Sequence, residues 1–473
     1  MALENTHFGA QRIGAMLDGK KHIYFAGIGG VSMNSLAHIS HLRGFRVSGY
    51  DRTPSPLTAH LEEMGITVHY ENDPAHVADA DMLVYTVAIP ATLPEYAEAQ
   101  RRGIPVVSRA DYLGYIMSGY RTRIGICGMH GKSTTTSMME RVFRIGGADP
   151  TVSCGAPLKD EDGRCDRIGG EDFFIFEACE YMDSFLDFYP TQAIVLNIEM
   201  DHLDYFHSLG QIEESFSRFM ERTGENGRVY LNMADANVME AARGFKGEII
   251  TFGVECPQAD YSAEEIVFSH GMPSFTLRRR GEDLCRIRLQ VPGAHNICDA
   301  LATAAAAVEN GISPAAIAEA LEGFDGAGRR MDYRGKTAAG ASVYDDYAHH
   351  PTEIATTLNG AAAMDHKKLW CVFQPHTYTR TKELFDDFAQ ALANPKADEV
   401  IIADIYPARE TDTLGMSAEL LADAIRRKGG NCRSAADFAS IASLLKKECG
   451  DGDTILVMGA GDVIRLTSLL LNE

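Results

Sequence analysis

Residues 128–137 read GMHGKSTTTS, ten positions that hold two glycines, one lysine and five hydroxyl side chains. Types in that order suit a phosphate. Gly128 and Gly131 let backbone amides approach the oxygens, Lys132 neutralises β- and γ-phosphate charge, and Ser133 offers a hydroxyl to Mg²⁺. Met129, His130 and Thr134 complete the loop. The full phosphate-loop spacing asks for a glycine at 126, where the chain has Ile126, so this is a shortened variant. Its place after the apolar run RIGIC and before a helix-forming stretch favours phosphate binding over a chance Gly-Lys-Ser.

Such a loop needs a metal and a group to receive the phosphoryl. DFFIFEACEYMDSF leaves Glu177 and Glu180 at the end of a strand, and QAIVLNIEMDHLDYF leaves Asp201, His202 and Asp204 at another. Loops at the carboxyl ends of parallel strands converge on one crevice, so these groups are candidates to meet Ser133 around Mg²⁺, which prefers oxygen ligands. The plain alternative for either cluster is a solvated loop.

A second glycine turn, AGIGGVSM, supplies Gly27, Ile28, Gly29, Gly30, Val31 and Ser32 between a strand and a helix, a setting suited to a diphosphate. The third glycine of a dinucleotide fingerprint falls on Ser32. Asp51 lies 22 residues after Gly29 (51 − 29), where such folds place a ribose-binding carboxylate. A nicotinamide-dependent oxidoreductase and a mere tight turn both stay open at this point.

The elements that position these groups are short apolar strands alternating with amphipathic helices, an α/β pattern with mostly parallel sheets. A third strand-to-glycine start, DTILVMGAGD at 453–462, stands where a last strand and helix would close a sheet. The 473 residues exceed one ordinary core. Three domains are expected, at 1–118, 119–326 and 327–473. With 44 Lys+Arg against 66 Asp+Glu the net charge is −22, which argues against nucleic acid or an anionic membrane as partner. The N-terminal residues lack the basic-then-apolar order of a secretory signal, and no apolar run approaches the ~20 residues that cross a bilayer. Ten cysteines stand singly, so neither a zinc ribbon nor a disulfide framework is indicated, and a cytoplasmic location is expected.

The segments GMHGKSTTT, FEACEY, LNIEMDHLDYF, VPGAHN, DDYAHHPTE, FQPHTYTRT, DIYPARE and LVMGAGD occur in the order found in the Mur ligases. From about residue 22 to 465 the chain resembles that family, and in particular its alanine-adding branch. The resemblance implies an α/β protein of three domains: N-terminal Rossmann-like for a UDP-sugar, a central phosphate-loop ATPase, and a C-terminal Rossmann-like domain bringing the amino acid. It implies ATP and Mg²⁺ as cofactors and UDP-N-acetylmuramate and L-alanine as substrates. Gly27 to Ser32 would cradle the UDP diphosphate, with Asp51 near the uridine. Glu177 and His202 would join Ser133 as metal ligands, and Asn296 matches an adenine-binding position. Arg329 and Arg330 mark the entry to the third domain near ATP. Asp346 and His349 face the reacting ends, and His376 and Arg380 match contacts to the muramoyl group and the acceptor.

Some positions depart from the family pattern. Met129 replaces Thr or Ser, Asp299 stands where a second adenine-binding Asn is frequent, and Thr377 replaces a common arginine. From Leu203 to Arg222 there is no lysine to be carbamoylated, which fits the alanine-adding branch. His349, paired with Asp346, is the expected base for the incoming amine, because a metal-bound histidine cannot also serve. The plain reading of DDYAHHPTE is a helix start with Pro351 in the first turn. Arg380 suits a carboxylate clamp, against an ion pair with Glu383 or Asp387. His295 and Trp370 read as structural, and Arg409 and Glu410 as loop-ordering. A ligase adding a preformed tripeptide and a catalytically silent UDP-sugar-binding homologue are the remaining rivals. Monomer and homodimer are equally open.

Overall fold

The computed structural model describes residues 3–471, apart from 162, 202–204, 395, 409 and 436. Strands form where apolar residues run without a break, because parallel strands are covered on both faces. The first sheet is built from β1 (His22–Ala26), β2 (Arg46–Tyr50), β3 (Thr67–His69), β4 (Met82–Tyr85) and β5 (Val106–Ser108), in the order β3-β2-β1-β4-β5. All its pairings are parallel.

The second sheet draws on β6 (Thr122–Cys127), β7 (Thr151–Ser153), β8 (Asp166–Arg167), β9 (Phe173–Glu177), β10 (Gln192–Val195), β11 (Arg228–Asn232) and β12 (Glu248–Val254). Its parallel run is β12-β11-β10-β6-β9-β7, with β8 antiparallel against β7. A meander of β13 (Tyr261–Ser269), β14 (Met272–Arg279) and β15 (Glu282–Arg288) follows in the chain. The third sheet holds β16 (Asp332–Lys336), β17 (Ser342–Asp346), β18 (Leu369–Phe373), β19 (Glu399–Ala403), β20 (Cys432–Ala435) and β21 (Thr454–Met458), in the order β16-β17-β21-β18-β19-β20. The fold is therefore α/β with three sheets. β21, the last strand of the chain, completes this sheet. Every residue of TILVM is buried, so the strand is apolar on both faces and takes an interior position between β17 and β18.

Spatially the chain divides into two compact units. The first holds Met1–Ser262, Arg278–Asp283 and Asp299–Ala320, and the second Ala263–Leu277, Leu284–Cys298 and Leu321–Glu473. In the first unit one apolar cluster runs from Ile23 and Phe25 on β1 to Phe174 and Phe176 on β9. Phe185 and Phe219 stack within it at 4.5 Å. Each such ring contributes on the order of 2 kcal/mol of burial. A buried pair, His38 Nδ1 to Asp166 Oδ2 at 2.6 Å, ties the helix Val31–Leu42 to β8. In the second unit the alternation of strand residues sends Cys371, Phe373, Leu456 and Met458 to one apolar cluster and Val372, Ile455 and Val457 to another. Among the described residues no helix is long and apolar enough to cross a membrane.

Candidate active site

In the first unit β6 lies between β9 and β10, with Ile126 opposite Glu177 and Cys127 opposite Val195. That register brings the segments after these three strands out at one edge. The phosphate loop follows β6. Gly128 and Gly131 have φ of 137° and 85°, a region that L side chains rarely occupy. A Cβ on Gly131 would collide with Asp299 Oδ1, so Asp299, the unusual residue of this segment, packs directly against the loop. The helix Lys132–Ile145 starts with no side-chain cap. Among the described residues the amides of Lys132, Ser133 and Thr134 find no acceptor, which leaves three donors and a helix dipole for an anion. Asn197, just past β10, accepts from His130 N at 2.9 Å and donates to His130 O at 3.0 Å, fixing the loop from outside, and Glu199 bonds the His130 ring.

Lys132 Nζ donates to the carbonyls of Gly128 and Met129 and reaches Glu180 Oε2 at 3.2 Å. Burial works against its charge, but Glu180, Cys179 and Glu177 outweigh burial and hold its pKa above the ordinary lysine range. Glu177 Oε1 accepts from Gly155 N and from Cys154 Sγ at 3.2 Å, while Cys154 also reaches Ser133 O at 3.7 Å. Among the described residues Glu177 Oε2 and Ser133 Oγ have no hydrogen-bond partner. A carboxylate oxygen and a hydroxyl left in that state beside a phosphate loop fit a hard divalent cation. His202 and Asp204 lie outside the described residues, as does Arg409.

The N-terminal turn is built differently. Gly27 N and Ile28 N both donate to Tyr50 O, at 2.8 and 3.0 Å, and Gly30 N donates to Gly27 O at 3.2 Å. Gly29 N donates to Asp51 Oδ2 at 2.8 Å, so the carboxylate expected at a ribose or uridine also shapes the turn. The glycine amides are thus consumed. Among the described residues those of Val31, Ser32 and Met33, the uncapped first turn of the helix Val31–Leu42, have no acceptor. Ser32 Oγ accepts from Arg109 Nη1 at 3.2 Å.

In the second unit β17, β21, β18 and β19 end at one edge. Asp346, at the end of β17, is buried and accepts from Met331 N at 2.7 Å, Ala348 N at 2.8 Å and Thr357 Oγ1 at 3.3 Å. Burial raises its pKa. The carboxylate facing His349 is Glu353, 3.2 Å from Nδ1, and not Asp346 as the sequence reading had it. Asp346 is engaged by backbone donors, and the i,i+4 spacing puts Glu353 on the same helical face as His349. His350 caps the helix Pro351–Ala362 in a capping box with Glu353, as the plain reading of that segment expects. Arg329 donates to Asp345 Oδ2 at 3.0 Å and to Gly459 O at 2.7 Å, and both it and Arg330 lie over the Tyr347 ring.

His376 follows β18 and stacks on Tyr406 with 5.5 Å between centroids; among the described residues its buried Nδ1 has no hydrogen-bond partner. Burial first, then His349 and Arg380, lower its pKa to about 4, so the ring is neutral near pH 7. Thr377 has φ of 67° and caps the helix Tyr378–Glu383, which carries Arg380. Glu410 orders that segment by accepting from Tyr378 N and Thr379 N, at 2.7 and 3.0 Å. Among the described residues Arg380 pairs with no carboxylate, neither Glu383 nor Asp387. Asn296 donates to Pro292 O at 2.7 Å, and His295 packs on Gly293 with its pKa lowered to about 4 by burial and by Arg330. Trp370 is a buried β18 residue.

Sequence reasoning missed Arg109, Asn197, Glu199 and Glu353. Asn197 and Glu199 lie inside the quoted LNIE segment, but only the register of β10 against β6 reveals what they hold. Arg109 belongs to no motif.

Comparison with known proteins identifies the family. Residues 22–121 match a model of the Mur ligase family, catalytic domain; residues 126–307 match the Mur ligase middle domain; and residues 329–461 match the Mur ligase glutamate ligase domain. The UDP-N-acetylmuramate–L-alanine ligases of Clostridium novyi and Acetivibrio thermocellus are each 43% identical to the chain over 454 residues. The alignments cover 96% of this chain and 98% and 96% of those proteins. The crystal structure of the UDP-N-acetylmuramate–alanine ligase from Thermotoga maritima superposes with a TM-score of 0.82 at 26% identity, covering 96% of this chain and 98% of that one. A murein peptide ligase from Psychrobacter arcticus gives 0.72 at 25% identity, covering 96% and 99%.

Proposed function

Because the chain belongs to the Mur ligase family, we infer that it is an ATP-dependent ligase joining L-alanine to the lactoyl carboxylate of UDP-N-acetylmuramate, a step in making the peptidoglycan precursor. Full-length likeness to ligases of that name replaces the oxidoreductase reading of the first glycine turn. The observation that carries the chemistry is the phosphate loop itself. Lys132, three helix-start amides and a Glu177 oxygen lie at one sheet edge, and among the described residues those amides and that oxygen have no partner.

A carboxylate does not acylate an amine at neutral pH, since oxide would have to leave. Transfer of the γ-phosphoryl from ATP to the carboxylate gives an acyl phosphate; the amine of L-alanine then attacks the carbonyl carbon, and phosphate leaves. The first step brings two anions together. At an effective dielectric near 20, unit charges about 4 Å apart repel by about 4 kcal/mol. Lys132 and the loop amides offset that repulsion and stabilise charge on the migrating phosphoryl. Mg²⁺, when bound, would neutralise phosphate charge, and Ser133, Glu177 and His202 are the residues assigned to hold it.

The remaining assignments follow the same reading. The segment 1–118 takes the UDP-sugar on Gly27 to Ser32 with Asp51, 119–326 takes ATP, and 327–473 presents the amino acid. Asn296 and Asp299 are assigned to the ATP site, as are Arg329 and Arg330. Arg380 clamps the carboxylate of L-alanine with its planar fork, and His376 contacts the muramoyl group as a neutral ring. His349, oriented by Glu353, accepts the amine proton, while Asp346 holds the loop that presents it. The enzyme works in the cytoplasm, where ATP and UDP-sugars are present. The test is phosphate release with ATP, UDP-N-acetylmuramate and a varied acceptor. Release is expected with L-alanine, and only when all three substrates are present; turnover with a tripeptide and none with L-alanine would contradict the assignment.

A further inference from the structure

The N-terminal turn has no lysine, yet a diphosphate there enters a chain of net charge −22. An arginine stands beside it. Arg109 opens the helix Arg109–Met117 immediately after β5 and donates from Nη1 to Ser32 Oγ at 3.2 Å. Among the described residues it forms no salt bridge. Burial lowers its pKa, and Cys179 and Asp187 act in the opposite sense, which sets the guanidinium within electrostatic reach of the segment that follows β9. That segment also carries Glu180, and Glu177 ends the strand before it. A partly desolvated guanidinium without a carboxylate partner is costly unless an anion completes it.

The placement is directional. Val31, Ser32 and Met33 offer amides at the helix start, and Arg109 lies on the side of the turn toward the segment after β9. A nucleotide sugar held at the turn must extend its acyl end toward the phosphate loop, so its sugar-side phosphate is the one nearest that segment. We infer that Arg109 grips the sugar-side phosphate of the UDP diphosphate and thereby aims the muramoyl arm at the phosphate loop. Its planar fork engages two phosphate oxygens at once, which a lysine cannot do. The inference rests on the reading of this turn as the sugar-nucleotide site.

The competing role is internal: Arg109 would merely hold Ser32. Calorimetric titration of wild type, Arg109→Ala, Arg109→Lys and Ser32→Ala with UDP-N-acetylmuramate, with UMP and with a nonhydrolysable ATP analogue separates the two. Arg109→Ala is expected to weaken UDP-N-acetylmuramate roughly 30-fold, Arg109→Lys about tenfold and Ser32→Ala by less than about threefold. UMP, which lacks the sugar-side phosphate, and the ATP analogue should change by less than about threefold in all variants. Unchanged UDP-N-acetylmuramate affinity in Arg109→Ala, an equal loss on UMP, or a full copy of the loss in Ser32→Ala would overturn the role. If the alanine variant loses the ATP analogue, it is misfolded and the lysine variant decides: the tenfold loss supports the role and none overturns it. Failure of the wild type to bind UDP-N-acetylmuramate at all would instead overturn the reading of the turn.

Discussion

Gly27–Ser32 and Gly128–Ser133 each follow a buried parallel strand, and each opens a helix that has no side-chain cap. In the first, the glycine amides are spent on Tyr50, Asp51 and the turn itself, and the nearby cation is an arginine hydrogen-bonded to Ser32. In the second, Lys132 bends back to two loop carbonyls and to Glu180, while Glu177, among the described residues, keeps one oxygen unpartnered. One backbone device thus serves two purposes. A rigid turn with helix-start amides holds a phosphate that stays where it is; a compact ammonium and a metal-ready carboxylate suit a phosphoryl that must move.

The contrast breaks most sharply at Lys132. Lys132→Ala should lower kcat by about 10³-fold while leaving UDP-N-acetylmuramate affinity within about twofold, as read by steady-state kinetics and calorimetry. Equal damage to both would mean that the turns are not separate sites. Glu177→Gln keeps the shape and removes the charge; it should raise the Mg²⁺ concentration for half-maximal rate by roughly tenfold or more, with UDP-sugar binding unaffected. Asp51→Asn reverses the pattern. Losing a charge-assisted acceptor for Gly29 N should weaken UDP-N-acetylmuramate about tenfold and leave the ATP-analogue affinity alone.

The smallest effect lies outside both turns and bounds the comparison. Unfolded His376 binds a proton near the ordinary 6.5, whereas the folded residue refuses it until about 4. Its contribution to stability is therefore present above pH 6.5 and is lost as the pH falls through about 4. His376→Gln should lose less melting temperature than wild type between pH 7 and pH 5. An identical loss would show that protonation of this ring is not what acid costs the fold.

The α/β class and both glycine turns were legible because buried parallel strands are written as unbroken apolar runs and the turns as glycines at fixed offsets. Lys132, Ser133 and Glu177 could be named because Glu177 ends an apolar strand and the other two stand in the glycine loop that follows one. Interior against edge position was not legible: TILVM looks like any terminal strand until Val343 on β17 and Val372 on β18 are seen on either side of it. Pairings set by tertiary register were equally hidden. Asn197 brackets His130 across 67 positions, and Glu353 displaces Asp346 at His349 only because a helix begins between them. The amides of the first turn seemed available from sequence, since nothing in GIGG says that Tyr50 O already takes those of Gly27 and Ile28.

The central claim is that the sugar-borne carboxylate takes the γ-phosphoryl before the amine arrives. It is tested most directly by supplying UDP-N-acetylmuramate with ¹⁸O in the lactoyl carboxylate, together with ATP, Mg²⁺ and L-alanine, and reading the released phosphate by mass spectrometry. The acyl-phosphate route predicts one ¹⁸O in each phosphate, carried over when the amine displaces it. Phosphate free of the label, alongside normal product, would contradict the account.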